Sequence, residues 1–322
     1  MQRISIECRN VNDLYSRLLG VAARYGEKQD SRNGAVMALP GMLSVLVTQP
    51  HERVLFDEER NANPTFHLLE ALWMLGGKDD VAFVAKYNSN MKTFSDDGVR
   101  FNAAYGHRWR NHFGVDQLLV VIDKLRANPL DRQVVLSMWD PTDDLTNLST
   151  LDRPCNLLIV FRIEHGKLNM MTTNRSNDIV FGLAGANAVH LTVLQEFVAR
   201  AVGVGVGCWN HCSANAHIYE RHWDLMKNVK PYSAWLPYVG SQPLLTKEES
   251  YLDFLADCED MCAGQADDFR TDFFFGTVSP MITAWDKWRR DEDKAGALYD
   301  LSCIEANDWR IASTRWLKRK SK

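Results

Sequence analysis

The chain has 322 residues, 46% of them hydrophobic and 24% charged, enough to bury a sizeable core without disulfides or metals. Lys and Arg number 37 against 41 Asp and Glu, and the net charge of -4 excludes a basic protein that coats nucleic acid. The sequence contains no apolar run long enough for a membrane span or a signal peptide, and its seven scattered Cys do not suit a secreted disulfide framework, so a soluble, cytoplasmic protein is expected.

Val11, Leu14, Leu18 and Val21 recur at helical spacing and predict a helix over 11–25. Arg32-Asn33-Gly34 and Pro40-Gly41 punctuate residues 28–50 into a loop and short strands. A strongly apolar helix over 64–75 opens on Pro64 and stops at Gly76-Gly77. Asp116 is placed to cap a helix over 117–127 that Asn128-Pro129 ends. Val134 to Trp139 reads as a strand, and Leu157–Ile163 and Leu168–Thr173 read as a hairpin around Glu164-His165-Gly166-Lys167. Residues 188–203 form a long apolar helix, and residues 247–264 also read as helical. The segments 282–290 and 304–319 are Trp-rich and charged, and no linker separates two halves. One α/β domain over 1–322 is expected.

Several residues carry chemistry. Cys155 lies in Arg153-Pro154-Cys155-Asn156 at the mouth of the first hairpin strand, and Arg153, facing its sulfur, would favour thiolate. Glu70 sits among apolar residues, and a buried carboxylate must be paired or titrate high, which suits acid–base work. Arg175 and Ser176 follow a strand, and such a pair can hold a phosphate through charge-assisted hydrogen bonds. His217 and Tyr219, two apart on a strand, face one side and could share a ligand. The pairs Cys208/Cys212, with His211 between, and Cys258/Cys262 lack the usual zinc spacing and read as structural. Lys318-Arg319-Lys320-Ser321-Lys322 reads as a solvated tail.

The order of these motifs resembles the thymidylate synthase superfamily over about residues 28–225. Glu70-Ala71-Leu72-Trp73 resembles the family's Glu-Leu-Leu-Trp helix, and Tyr105-Gly106-His107-Arg108-Trp109 resembles its Tyr-Gly-x-x-Trp. Arg132 and Ser137-Met138-Trp139 resemble its Arg-bearing turn and strand, Pro154-Cys155 its nucleophile, and His217-Ile218-Tyr219 its ribose-binding motif. Arg175 to Gly182 is most similar to the viral deoxycytidylate hydroxymethylases. The resemblance implies a three-layer α/β fold with a large mixed sheet packed against helices, residues 226–322 being a divergent extension. It implies a homodimer acting on a pyrimidine nucleoside monophosphate with 5,10-methylenetetrahydrofolate, without direct contact with nucleic acid or membrane. Cys155 would add to C6 and make C5 nucleophilic. Arg32, Arg175 and Ser176 would hold the phosphate, with Arg132 reaching across to the partner subunit's phosphate. His217 and Tyr219 would bind the ribose, Asp178 the pterin ring, and Tyr105 would join the network near the nucleophile. Glu70 would order water and shuttle protons.

Three departures from the family refine this. Arg132-Gln133 replaces two consecutive Arg. Ala186 stands where synthases place the Asn that reads uracil, with Asn187 next to it. Asn90-Met91-Lys92-Thr93-Phe94 lacks the Trp residues that wall the folate and exclude water, and a basic tail replaces the apolar C-terminal end. These features lead to the expectation of a cytidylate 5-hydroxymethyltransferase, with dCMP preferred over CMP. The competing expectations are a dCMP 5-methyltransferase, a dUMP-acting hydroxymethylase or synthase, and a non-catalytic relative that binds nucleotide or RNA.

Overall fold

The computed structural model describes residues 4–147, 149–150, 152–232, 238–265, 268–290 and 292–320. Strand β1 (Ile4–Cys8) leads into α1 (Val11–Tyr25), whose Asn10 cap accepts from the amides of Asn12 and Asp13. Three short strands follow, β2 (Glu27–Ser31), β3 (Gly34–Ala38) and β4 (Leu43–Val47). Helix α2 (Pro64–Leu75) has Asn63 as its cap and Pro at its first position. All twelve of its residues are buried, as an all-round apolar helix requires. Then come α3 (Val81–Tyr87), α4 (Tyr105–Arg110), α5 (Gln117–Ala127) and β5 (Val135–Ser137). The hairpin β6 (Asn156–Glu164) and β7 (Lys167–Asn174) is followed by the short β8 (Asn177–Asp178) and the long α6 (Asn187–Val202). The last strands are β9 (Gly205–Ser213) and β10 (Ala216–Tyr219). Four helices close the chain: α7 (Tyr251–Cys262), α8 (Ser279–Arg289), α9 (Lys294–Ser302) and α10 (Asn307–Lys320).

Six strands form a mixed sheet in the order β1-β4-β9-β7-β6-β5, and a second sheet runs β2-β3-β10-β8. The expected α/β class with a large mixed sheet against helices is therefore what the chain adopts. Along β7 the residues Leu168, Met170, Thr172 and Asn174 are buried, and along β9 Gly207, Trp209, His211 and Ser213. This two-residue period turns one face of the sheet toward the helices. Cys208 and Cys212 lie on the opposite face from His211, so these three side chains do not converge.

Two expectations change in detail. The strand expected from Val134 to Trp139 is regular only over Val135–Ser137. The basic C-terminus is not a free tail through Lys320: Lys318, Arg319 and Lys320 form the last turn of α10, and Arg319 lies 3.5 Å from Glu58. Ser321 and Lys322 fall outside the described residues.

The residues beyond 225 back the N-terminal two thirds of the chain. Helices α7, α8 and α10 pack on α2. Trp285 and Trp316 stack at 6.0 Å, Trp288 meets Trp316 edge-on at 5.3 Å, and Tyr87 of α3 meets Trp285 at 5.4 Å. One hydrophobic cluster runs from Ile6 to Leu317.

Two glycines test this packing in opposite directions. A Cβ on Gly106 would lie 2.0 Å from the Met74 carbonyl oxygen at the end of α2, whereas a Cβ on Gly20 within α1 would meet nothing within 4 Å. Gly106→Ala should cost about 3 kcal/mol through overpacking. Gly20→Ala should gain roughly 0.5–1 kcal/mol by removing backbone freedom from the unfolded chain. Urea unfolding midpoints measure both. Equal midpoints for the two variants would show that α2 and α4 do not meet as closely as described.

Candidate active site

The hairpin sets the geometry. His165 and Gly166 take left-handed conformations at φ 49° and 70°, a two-residue turn that fixes the register of β6 against β7. That register holds from Glu164 and Lys167 to Leu158 and Thr173; an irregularity between Asn156 and Leu158 then shifts it by one residue, so that Asn156 faces Asn174 and the residues flanking them, Cys155 and Arg175, meet at the open end of the hairpin. The Arg175 amide donates to the Cys155 carbonyl at 2.9 Å. Its side chain donates from Nε to the Pro154 carbonyl and from Nη2 to the Arg153 carbonyl, each at 3.0 Å. Arg175 remains exposed beside half-buried Ser176, and its guanidinium lies 5.9 Å from the Trp139 ring centre.

Burial pushes the half-buried Cys155 thiol above its ordinary pKa; Arg175 pulls it back, Asp152 raises it, and Arg32 lowers it again. Arg32 sits exposed at the β2–β3 turn. Arg153 does not serve the sulfur as expected. It turns away, donating from Nε to the Asp144 carbonyl at 2.9 Å and from Nη2 to the Asn147 carbonyl. The cation nearest the thiol comes instead from the adjacent strand end, as Arg175. Tyr105, at the start of α4, accepts the Asn156 amide through its hydroxyl at 3.2 Å, and burial holds that hydroxyl protonated.

The second sheet brings in the remaining candidates. β8 pairs with β10, placing Asp178 beside His217. His217 contacts Asn215 Oδ1 through Nδ1 at 2.9 Å, and its ring stands edge-on to Tyr219 at 5.0 Å, so the two do share a face. Burial lowers the His217 pKa, partly opposed by the Asp178 carboxylate. Asp178 Oδ1 accepts the amides of Val180 at 2.8 Å and Phe181 at 3.3 Å. The Phe181 ring is 43% exposed, with the Arg60 guanidinium 4.3 Å from its centre. Arg132 lies exposed between α5 and β5, and no hydrogen bond or ion pair among the described residues joins it to the Cys155 surroundings.

Between β8 and α6 the chain makes an irregular turn, with Gly185 at φ -132° and ψ -118°. Ala186 ends the turn half-buried, and Asn187 begins α6. The Asn187 Nδ2 donates to Asn177 Oδ1 at 3.3 Å, and Asn177 Nδ2 lies 3.2 Å from His211 Nε2. His211 Nδ1 lies 2.8 Å from Thr172 Oγ1, which accepts from Trp209 Nε1 at 2.9 Å. Burial pushes the His211 pKa down to about 3, so the ring is neutral at neutral pH. Gly182 leaves the room this row needs, because a Cβ there would lie 2.4 Å from Asn177 Oδ1.

Glu70 is buried on α2, and its Oε2 lies 2.8 Å from Nε2 of His190 on α6. Sequence reading passed over His190, Asn177 and His211 as site residues. The only available signal was the spacing of His190 three residues after Asn187, which puts both on one face of a helix.

The thymidylate synthase family pattern matches residues 15–233. A deoxyuridylate hydroxymethyltransferase of Pseudomonas phage M6 is 39% identical over 98% of this chain and 94% of its own length. A protein of the same description from Bacillus phage SP01 is 38% identical over 64% of this chain and 56% of its own. A thymidylate synthase of Phytoplasma mali is 32% identical over 43% of this chain and 47% of its own. With the nucleophile motif, the hairpin that presents it, the family pattern and the phage M6 relative matched over nearly its full length in agreement, the chain belongs to the thymidylate synthase family of one-carbon transferases acting on pyrimidine nucleotides.

Proposed function

We propose that the chain is a deoxyuridylate 5-hydroxymethyltransferase, using Cys155 as nucleophile and a reduced folate as one-carbon donor. The observation that carries the reading is the amide at the start of α6. Asn187, rather than Ala186, supplies a polar group there, and Asn177 holds it. Asn177 is oriented in turn by His211, so the Asn187 amide offers its donor and acceptor in one fixed order. Uracil carries its O4 acceptor and N3 donor in one order; cytosine carries an N4 donor and N3 acceptor in the reverse order. A fixed amide therefore separates the bases, because the wrong one leaves polar groups unpaired. The phage relatives described as deoxyuridylate hydroxymethyltransferases support uracil, in preference to the dCMP expected from Ala186.

The residues divide the work. Arg175, Ser176 and Arg32 bind the 5′-phosphate, and His217 with Tyr219 the ribose hydroxyl. Cys155 is held protonated by burial, so its proton must leave as Arg175 and the substrate close on it. The resulting thiolate bonds to C6, and Tyr105 fixes the strand start through the Asn156 amide. A bound 5,10-methylenetetrahydrofolate supplies the one-carbon unit. The residues fit such a group: Asp178 keeps a carboxylate oxygen without a hydrogen bond among the described residues, beside the exposed Phe181 ring. Asp178 would accept from a pterin ring and Phe181 would pack on it. Residues Ser89–Phe94 form an exposed turn without Trp, which favours entry of water and a hydroxymethyl product.

We infer a homodimer acting as one unit over 1–322. Val135 and Met171 stand exposed on the outer face of the large sheet, and a second copy there would let Arg132 reach the partner's phosphate.

Cys155→Ala should abolish product and C5 hydrogen exchange while nucleotide affinity holds within about threefold, since the thiolate alone activates C5. Retained exchange, followed by tritium release, removes Cys155 as the nucleophile. Base choice is read from kcat/KM for dUMP over dCMP. The wild type should favour dUMP by about 100-fold or more, and Asn187→Asp should invert or erase that ratio. A ratio that Asn187→Asp leaves unchanged, with mass analysis of the product, counts against Asn187 as the base reader.

A further inference from the structure

Among the described residues, Glu70 and His190 stand out as a titratable pair that the binding roles above leave unexplained. Their side chains are 7% and 3% exposed, and they come from different helices, α2 and α6. The Oε2 to Nε2 separation of 2.8 Å is that of an ion pair, yet the approach is off the hydrogen-bonding direction. Glu70 Oε2 and both ring nitrogens of His190 make no hydrogen bond with the protein. Buried polar atoms of this kind are held for a ligand or an ordered water. His67, one turn before Glu70, is also buried, and burial together with the nearby Arg60 guanidinium keeps it uncharged. It therefore does not compete as a cation for Glu70.

The pair also lies in the right place. Asn187 and His190 are three residues apart on α6 and share a face. Through Asn187 that face reaches Asn177, two residues from Arg175 and hence from Cys155. His190 thus sits one helical turn beyond the Asn187 amide.

We propose that His190 is the second half of the water-activating group, a positioning residue that holds Glu70 and takes up the proton Glu70 removes from water. This rests on the hydroxymethyltransferase reading. In the step, the water oxygen bonds to the exocyclic methylene carbon on C5 while one O–H bond breaks and its proton passes to the Glu70–His190 pair. The methylene π electrons move into the C5–C4 bond and onto O4 as an enolate. The enolate then collapses, restoring the C4 carbonyl and the C5–C6 double bond, and the C6–S electron pair leaves with Cys155. No oxidant or reductant is needed.

The test uses the full chain and His190→Gln, with His190→Asn as a second variant against loss of folding. Three quantities are measured beside the wild type: dUMP affinity, C5 hydrogen exchange on nucleotide alone, and hydroxymethyl formation with methylenetetrahydrofolate. Affinity, exchange and nucleotide KM should stay within about threefold, while kcat for hydroxymethyl formation falls about 100-fold. The stalled methylene should then be captured by added 2-mercaptoethanol as a C5 thioether, detected by mass. Exchange and product lost in equal proportion in both variants, or product retained in either, overturns the proposal. A wild type that forms no hydroxymethyl nucleotide overturns the parent reading, and this one with it, whatever the variants do.

Discussion

The register of the β6–β7 hairpin is the constraint on which the site depends. Because the side-chain period of a strand is two, a slip of one residue would turn every inward group outward. The left-handed pair His165-Gly166 removes that freedom at the closed end. At the open end a one-residue irregularity between Asn156 and Leu158 brings the Cys155 carbonyl to the Arg175 amide, and the Arg175 guanidinium lies across the backbone of residues 153 and 154. One cation thus braces the segment that carries the sulfur, lowers the cost of ionising it, and stays exposed enough to meet an anion. These three tasks conflict in most settings, and here they are reconciled because the main chain just before β6 takes two of the guanidinium's donors.

Behind this end lies a row of buried polar side chains where a core would normally be apolar. Thr172, His211, Asn177 and Ser213 are all 2% exposed or less, and so are Asn156 and Asn174. Leaving such groups unpaired costs roughly 1–3 kcal/mol each, so they persist only where partners or function hold them. Most are paired with one another, and the row ends at Asn187. The burial that holds His211 neutral also gives the row a constant direction across the physiological pH range.

Much of this was legible in the sequence where a local signal had a local cause. Pro64 and Gly76 bracket α2 as caps do, and the apolar flanks of Glu70 announced its burial. Asp116 and Asn128 bracket α5 for the same reason. What stayed hidden depended on partners far along the chain. His190 in an apolar helix reads as a core histidine until α2 is packed beside it and Glu70 comes within 2.8 Å. Arg153 was a natural partner for Cys155 by its place in the sequence, but the Asp144 and Asn147 carbonyls draw it away, and the hairpin pairing brings Arg175 instead. The strand at Val134 was drawn too long because Met138 and Trp139 continue its burial pattern after the ladder has become irregular, both amides donating to the Leu157 carbonyl.

The match to the family ends at residue 233, yet α2 is backed by helices that come after it, with the Trp285, Trp288 and Trp316 cluster beside them. A chain cut at that boundary would retain every residue assigned to nucleotide and folate while stripping the support from the helix that carries Glu70. The C-terminal third is therefore a buttress rather than an accessory. What it must preserve is the shape that meets one helix surface, because none of the residues assigned to nucleotide or folate lies within it.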